Sequence, residues 1–229
     1  MKYAYLLIDI GTILIPVVFS FHPKLRFDQQ WRNFFPGLIW VGLFFIIWDI
    51  YFTKIGVWGF NPDYLTGWYI FNLPIEEILF FVCIPYACVF TYHCFNRLLP
   101  EGWLQAGTGW LTWLLLAGLT ITWVLAFPRY YTNTTFALMA LCLIYVLVAR
   151  PGWITAFYIS YGVCIVPFFV VNGLLTGSWI ESPIVWYNDA ENLGFRLATI
   201  PVEDIFYGML LIFMNVYFLE FYTERSKRQ

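Results

Sequence analysis

Charge is what this sequence has least of. Of its 229 residues only 12 are lysine or arginine and 14 aspartate or glutamate, 11% in all, where a soluble domain of this length carries about a quarter. That deficit excludes an ordinary soluble globular domain. The net charge of −2 says little about partners, and no nucleic acid is expected. Other absences narrow the chemistry. No G-x-G-x-x-G follows a strand, so a dinucleotide or flavin bound by that route is not indicated. No D-x-x-x-D occurs, which argues against magnesium-held diphosphate chemistry, and "YNDAEN" (187–192) reads as an acidic loop. No lysine lies within an apolar run to carry a retinal Schiff base; Lys54 sits just past the end of one. His22 and His93 are single and far apart, and Cys83, Cys88, Cys94, Cys142 and Cys164 show no metal-ligand or C-x-x-C spacing. No metal, cofactor or disulfide is expected, and the cysteines read as small packing residues.

What is present is apolar and aromatic: 61% hydrophobic residues, with 24 Phe, 16 Tyr and 12 Trp. Runs long enough to cross a bilayer as helices recur at 3–20, 36–53, 74–95, 108–127, 134–149, 153–176 and 201–222. The fifth is short, and Pro167 and Gly173 interrupt the sixth. Asp9 and Pro16 break the first run, which therefore reads as a helix and not as a signal peptide. Seven crossings would place Lys24, Arg26, Arg32, Arg97, Arg150, Arg225, Lys227 and Arg228 on one side, and Lys2, Lys54, Arg129 and Arg196 on the other. This asymmetry predicts an outside amino terminus and a cytoplasmic carboxyl terminus in the cell membrane.

Scarce charge makes its placement informative. "LPIEEILFF" (73–81) and "IPVEDIFYG" (200–208) each set two adjacent acids two residues after a proline. Chance gives about 0.04 such occurrences in a chain of this composition. Upstream, "IIWDIYFTKIGVW" (46–58) lies over "VVNGLLTGSW" (170–179) when Asp49 is matched to Asn172, Thr53 to Thr176 and Trp58 to Trp179. The expected architecture is an all-α integral membrane protein of seven helices. Two parallel pseudo-repeated three-helix halves, 1–100 and 132–229, are joined by a connector helix in 101–131.

An acidic first turn after proline can be only a helix start. Ionisable groups in membrane spans cost about 2.5–3.5 kcal/mol each, however, and usually face the interior for a function. The expected topology brings Asp9, Glu76, Glu77, Glu203, Asp204, Asp49 and Asn172 to one layer in the outer half of the membrane. Adjacent helical positions point about 100° apart, so one acid of each pair faces a cavity while the other supports it. Several carboxyls in low dielectric cannot all ionise, which suits a general acid beside a general base; the sequence leaves open which is which. Surrounding aromatics such as Trp48, Phe80 and Phe206 could stabilise a carbocation without offering it a nucleophile.

Seven spans in two similar halves, each opening a helix with P-x-E-[ED], resemble the membrane-embedded lycopene cyclases. That family includes bacterial two-subunit enzymes, fused archaeal chains and the cyclase domain of fungal phytoene synthase fusions. The resemblance covers essentially the full chain, and "PIEE" and "PVED" are its specific part. It implies acid–base cyclisation of the ends of linear lycopene, most commonly to the β-ionone rings of β-carotene, with no net redox change; a requirement for an electron carrier or lipid is left open. Glu76, Glu77, Glu203 and Asp204 inherit the motif positions as catalytic residues. Glu76 or Glu203 is the expected acid, with Glu77 and Asp204 orienting or accepting protons. Asp9, Asp49, Asn172, Trp48, Phe80 and Phe206 are expected around the substrate. The expected partners are a linear carotenoid and the lipid bilayer, and a place beside other carotenoid-pathway enzymes is left open. The rival expectation is a small ion- or proton-coupled transporter, which would use intramembrane carboxylates and pseudo-symmetric halves in the same way.

Overall fold

A computed structural model describes residues 2–100 and 107–228; residues 101–106, at the start of the expected connector, lie outside that description. Seven α-helices are found among the described residues: α1 (Ala4–Ser20), α2 (Trp31–Ile55), α3 (Ile75–Leu98), α4 (Gly109–Leu125), α5 (Tyr130–Ala149), α6 (Ile154–Thr176) and α7 (Glu203–Lys227). Each falls on an expected apolar run. Five of them, α2, α3, α5, α6 and α7, are long and apolar enough to cross a membrane, while α1 and α4 are apolar but only 17 residues long. Where the ends differ, the helices outrun hydropathy. The amphipathic start of α2 and the polar end of α7 stay helical beyond the apolar stretch, because backbone hydrogen bonding does not stop where the hydrocarbon does. Pro167 and Gly173 leave α6 unbroken.

The helices associate in a matched pattern. In the first part of the chain α1 packs on α3 and α2 touches α3; in the second, α5 packs on α7 and α6 touches α7. Across the two parts α2 lies along α7, α6 along α3, and α3 against α7 at the centre, with α4 laid on α5. A continuous apolar core runs through the bundle, including Phe45, Phe81, Met139, Leu143, Phe157 and Val216. The large apolar residues left exposed, such as Leu7, Ile39, Trp40, Leu114, Val148 and Val166, form the outward surface of a membrane bundle.

The all-α expectation omits a cap. The α2–α3 and α6–α7 connections carry six short strands: β1 (Trp58–Phe60), β2 (Tyr69–Ile70), β3 (Leu73–Pro74), β4 (Val185–Tyr187), β5 (Arg196–Leu197) and β6 (Ile200–Pro201). β2 pairs with β3 and β5 with β6 as hairpins, and β1 pairs antiparallel with β4, joining the two connections about Gly59 and Trp186. Each strand of the first connection has its counterpart 127 residues on. Phe71 and Ala198, also 127 apart, both adopt φ of +56° at the hairpin turns, a left-handed conformation rare outside glycine and asparagine. The register of β1 on β4 sets Trp58 opposite Tyr187, so Val185, and not Trp179, takes Trp58's place in the second connection. Trp179 is exposed, whereas Trp58 is buried.

Candidate active site

Proline, missing the N–H that a first helical turn leaves unpaired, ends each hairpin and hands the chain to a helix. Pro74 precedes α3 with Glu76 and Glu77 in its first turn, and Pro201 precedes α7 with Glu203 and Asp204. All four carboxyls are buried, so their hydrogen-bond partners decide what each can do.

The first acid of each motif turns back to the cap. Glu76 Oε1 accepts the Thr66 backbone N–H at 2.6 Å, and Glu203 Oε1 accepts that of Leu193 at 2.7 Å and the Thr132 hydroxyl at 2.6 Å. Thr66 and Leu193 are themselves 127 residues apart, so the same brace is built twice. The second acid turns inward. Glu77 Oε2 accepts the Tyr5 hydroxyl at 2.6 Å, and Asp204 Oδ1 accepts the Tyr131 hydroxyl at 2.6 Å.

The inward acids then differ. Asp204 Oδ2 accepts two more bonds, from Asn172 Nδ2 at 2.7 Å and the Tyr187 hydroxyl at 3.0 Å. Three donors surround one carboxylate, an arrangement that favours its charged form. Tyr187 lies in the cap outside the helices, and burial, followed by the neighbouring Asp204 charge, pushes its phenol above the usual range; it stays protonated and donates. Glu77 accepts one hydroxyl and has the carboxyl of Asp49 as its neighbour. Asp49 Oδ1 in turn accepts from Trp58 Nε1 and from Thr53 Oγ1, the latter at 3.3 Å. Two neighbouring buried carboxyls repel when both are charged, which favours a proton on one of them.

Glu77 and Asp204 meet on one chamber of about 70 Å³ between α3, α6, α7 and the cap. Its walls are mainly aromatic: Trp58, Phe60, Phe80, Tyr131, Phe168 and Tyr207 among them. The Tyr131 and Tyr187 rings stack at 5.9 Å, and Trp58 meets Tyr131 edge-on at 5.1 Å. Five of its lining residues, Phe80, Ile84, Phe168, Asn172 and Gly208, also line a larger apolar groove of about 650 Å³ between α1, α3 and α6.

Of the residues expected around a substrate, Phe80 and Asn172 line both cavities. Asp49 stands behind Glu77. Asp9 is buried beside Tyr5, Glu76 and Glu77 with neither carboxyl oxygen hydrogen-bonded. Trp48 packs among Phe45, Phe52 and Tyr207, and Phe206 packs on Phe136; neither belongs to the chamber lining. Sequence reasoning missed Tyr5, Tyr131 and Tyr187. The first two carried a usable signal, lying 126 residues apart in α1 and α5, nearly the offset of the acidic motifs. Tyr187 carried none, because its place follows from the β1–β4 pairing.

These features define a helical bundle with several spans apolar enough to cross a membrane and with two buried acids on an aromatic-lined cavity. The family model for lycopene cyclase matches residues 2–95 and 128–222, most of the chain, and the chain belongs to that family. The two matched stretches are displaced by 126 residues at their starts and 127 at their ends. Among curated proteins it is similar to the bifunctional lycopene cyclase/phytoene synthase of Colletotrichum graminicola, 27% identical over 62% of this chain and 30% of that protein. Proteins of the same description from Arthroderma gypseum, 26% identical over 42% of this chain and 18% of that one, and Aspergillus niger, 36% over 22% and 9%, are also similar. The chain spans less than a third of the length of these relatives. No solved structure matches it.

Proposed function

We propose that this chain is a lycopene cyclase in carotenoid biosynthesis, an intramolecular lyase or isomerase that closes the ends of linear lycopene or a closely related carotenoid, most commonly to β-ionone rings. One observation carries the proposal: Glu77 and Asp204, from two different helix starts, meet on a single aromatic-walled chamber that continues into an apolar groove. The expected acid was Glu76 or Glu203; the geometry favours their neighbours, because Glu76 and Glu203 are occupied with the cap.

The hydrogen bonds divide the labour. The Glu77–Asp49 pair holds a proton, and Glu77 delivers it to the terminal double bond of the substrate. The internal double bond attacks the resulting cation and forms the ring's carbon–carbon bond. Asp204, held as a carboxylate by Tyr131, Asn172 and Tyr187, removes a proton from the cyclic cation and leaves the ring double bond. One proton enters and one leaves, so the product is an isomer and no redox partner is consumed. Aromatic faces stabilise the cation in transit, each worth about 0.5–2 kcal/mol, and provide no nucleophile to trap it. The base reaching a different proton of the last cation would give a different ring.

The bundle is proposed to cross the cell membrane seven times, α1 and α4 included, with an outside amino terminus and a cytoplasmic carboxyl terminus. Two parallel three-helix halves, 1–100 and 132–229, flank a connector, and the matched strands, turns and braces 127 residues apart support that duplication. The test is expression in a bacterium that accumulates lycopene, with chromatography of the extracted pigments. Conversion of red lycopene to yellow-orange cyclic carotenoid is the expected result. Unchanged lycopene, with the chain inserted in the membrane, would overturn the proposal and favour a transporter.

A further inference from the structure

A linear carotenoid of this kind has two like ends, yet among the described residues Glu77 and Asp204 share a single chamber, and an open groove lies beside it. The groove begins at the chamber where Phe168 of α6 faces Gly208 of α7, and runs between α1 and α6 over Gly11, Thr12, Cys88 and Cys164. Its mouth faces the membrane: Leu7 and Ile15 line it and are 66% and 65% exposed. Three of the four helices that line it, α1, α3 and α6, have an interior proline (Pro16, Pro85, Pro167), while α7, which contributes Gly208 and Ile212, has none. An interior proline removes a backbone hydrogen bond and wedges against the preceding turn.

The corresponding place on the other side is filled. Counting 127 residues between α3 and α7, the counterpart of Gly208 is Phe81; counting 123 between α2 and α6, that of Val171 is Trp48. Phe45 joins them, 5.9 Å from Phe81 and 5.6 Å from Trp48 by ring centroids. A second route to the chamber is closed by the size of the side chains.

We infer that the groove binds the unreacted length of the linear carotenoid, admitted sideways from the bilayer, and that both ends are cyclised at the one chamber in successive binding events. This rests on the cyclase reading. With one end between Glu77 and Asp204, the remaining polyene lies along the groove against thiols, methyl groups and aromatic edges. Each visit adds a proton from Glu77 to a terminal double bond, forms one ring bond and loses one proton to Asp204. The ringed end must withdraw past Gly208 before the other end can advance, so the monocyclic carotenoid is released as a free intermediate.

The test uses membranes containing the full chain, supplied with lycopene and followed by chromatography. The wild type should show monocyclic product rising and then falling as bicyclic product appears. Glu77→Gln alone and Asp204→Asn alone should each reduce the first and the second ring together, by at least about 10²-fold. Gly11→Phe adds a side chain where a Cβ meets no atom within 4 Å; it should keep the fold, measured as thermal stability, while cutting ring formation at least tenfold and lowering the carotenoid that co-purifies with the chain. Monocyclic product at near half the wild-type rate from either acid variant would mean two independent sites and would overturn the inference. So would wild-type ring formation in Gly11→Phe. If the wild type closes no ring at all, the cyclase reading fails; carotenoid binding that is lost in Gly11→Phe would still establish the groove, and binding unaffected by it would remove the groove as well.

Discussion

The two halves of the molecule share their braces and differ in what those braces hold. On the α3 side Glu77 has one hydroxyl donor and a carboxyl neighbour in Asp49; on the α7 side Asp204 has three donors, and Asn172 stands where Asp49 would be. Beside the first half lies an open groove, and at the matching place on the other side Phe81, Trp48 and Phe45 fill the space. In the proposed duplication, one frame presents a carboxyl twice at a helix start, and small changes distinguish the two places. One amide in place of one carboxylate changes a proton-sharing pair into a cradle for a charge. One glycine in place of phenylalanine opens a route to the membrane.

Among changes that leave both inward acids in place, making the halves alike should damage the chemistry most. Asn172→Asp removes a donor from Asp204 and sets a second carboxyl against it. A hydrogen bond to a charged group is worth about 1.5–3 kcal/mol, so cyclisation should fall about 10- to 100-fold, read as the rate of cyclic pigment formation at equal protein. The reciprocal Asp49→Asn gives Glu77 an amide donor in place of its carboxyl partner and should cost about tenfold on the same scale. Equal activity in both variants and wild type would remove the division between acid and base.

Thinning the cradle is a milder change. Tyr187→Phe takes away the longest of the three bonds to Asp204, 3.0 Å, and should lower cyclisation by about tenfold, the low end of the roughly 1.5–3 kcal/mol that a hydrogen bond to a charged group is worth. Its ring stays to stack on Tyr131, so thermal stability should hardly move. A change in stability as large as the change in rate would mean that Tyr187 serves the cap and not the carboxylate.

The packing contrast has its own test. A Cβ at Gly37 of α2 would sit 2.5 Å from Phe218 Cβ of α7, close to the backbone, whereas a Cβ at Gly11 of α1 meets nothing within 4 Å. Gly37→Ala should therefore destabilise by about 1–3 kcal/mol through forced separation of α2 and α7. Gly11→Ala should be neutral or stabilising by up to about 1 kcal/mol, because alanine is the better helix former. Thermal melts of the two variants in detergent, compared with wild type, decide it.

The smallest effect belongs to the cap's outer rim. Arg196 donates to Asp189 at 2.5 Å and holds its carboxyl below the usual aspartate range. A lowered folded value stabilises above the ordinary aspartate pKa and is lost as pH falls through the lowered one. Asp189 is exposed, so Asp189→Asn should cost under about 1 kcal/mol at neutral pH and nothing at strongly acid pH. The melting difference between wild type and variant, followed against pH, gives the sign.

Much of this was legible in the chain. Helix positions followed from apolar runs, because few other structures put that much hydrophobic surface in register with a bilayer. The acid pairs announced themselves by scarcity, and their 127-residue spacing recurs in the matched strands, hairpin turns and braces. Which acid of each pair faces inward was not legible. That choice depends on whether a cap N–H lies within reach, and the cap is built from strands two or three residues long, too short for a periodic signal. The Trp58–Trp179 match failed for the same reason: a connection's sequence aligns by eye, but its place is set by the pairing of β1 with β4. Asn172 was found by depth, whereas Phe80, Trp48 and Phe206 all drew attention as aromatics in a chain full of them, and of these three Phe80 alone lines the chamber.

The most direct measurement compares the two acids within each motif. Glu76→Gln, Glu77→Gln, Glu203→Gln and Asp204→Asn would each be expressed to equal membrane levels in lycopene-accumulating cells, and their pigments extracted and separated. An amide carbonyl can still accept the Thr66 and Leu193 N–H groups, so Glu76→Gln and Glu203→Gln should keep cyclic product within a few-fold of wild type. Glu77→Gln and Asp204→Asn should lose at least about 10²-fold. The reverse pattern, with the outward acids essential and the inward ones dispensable, would contradict the account.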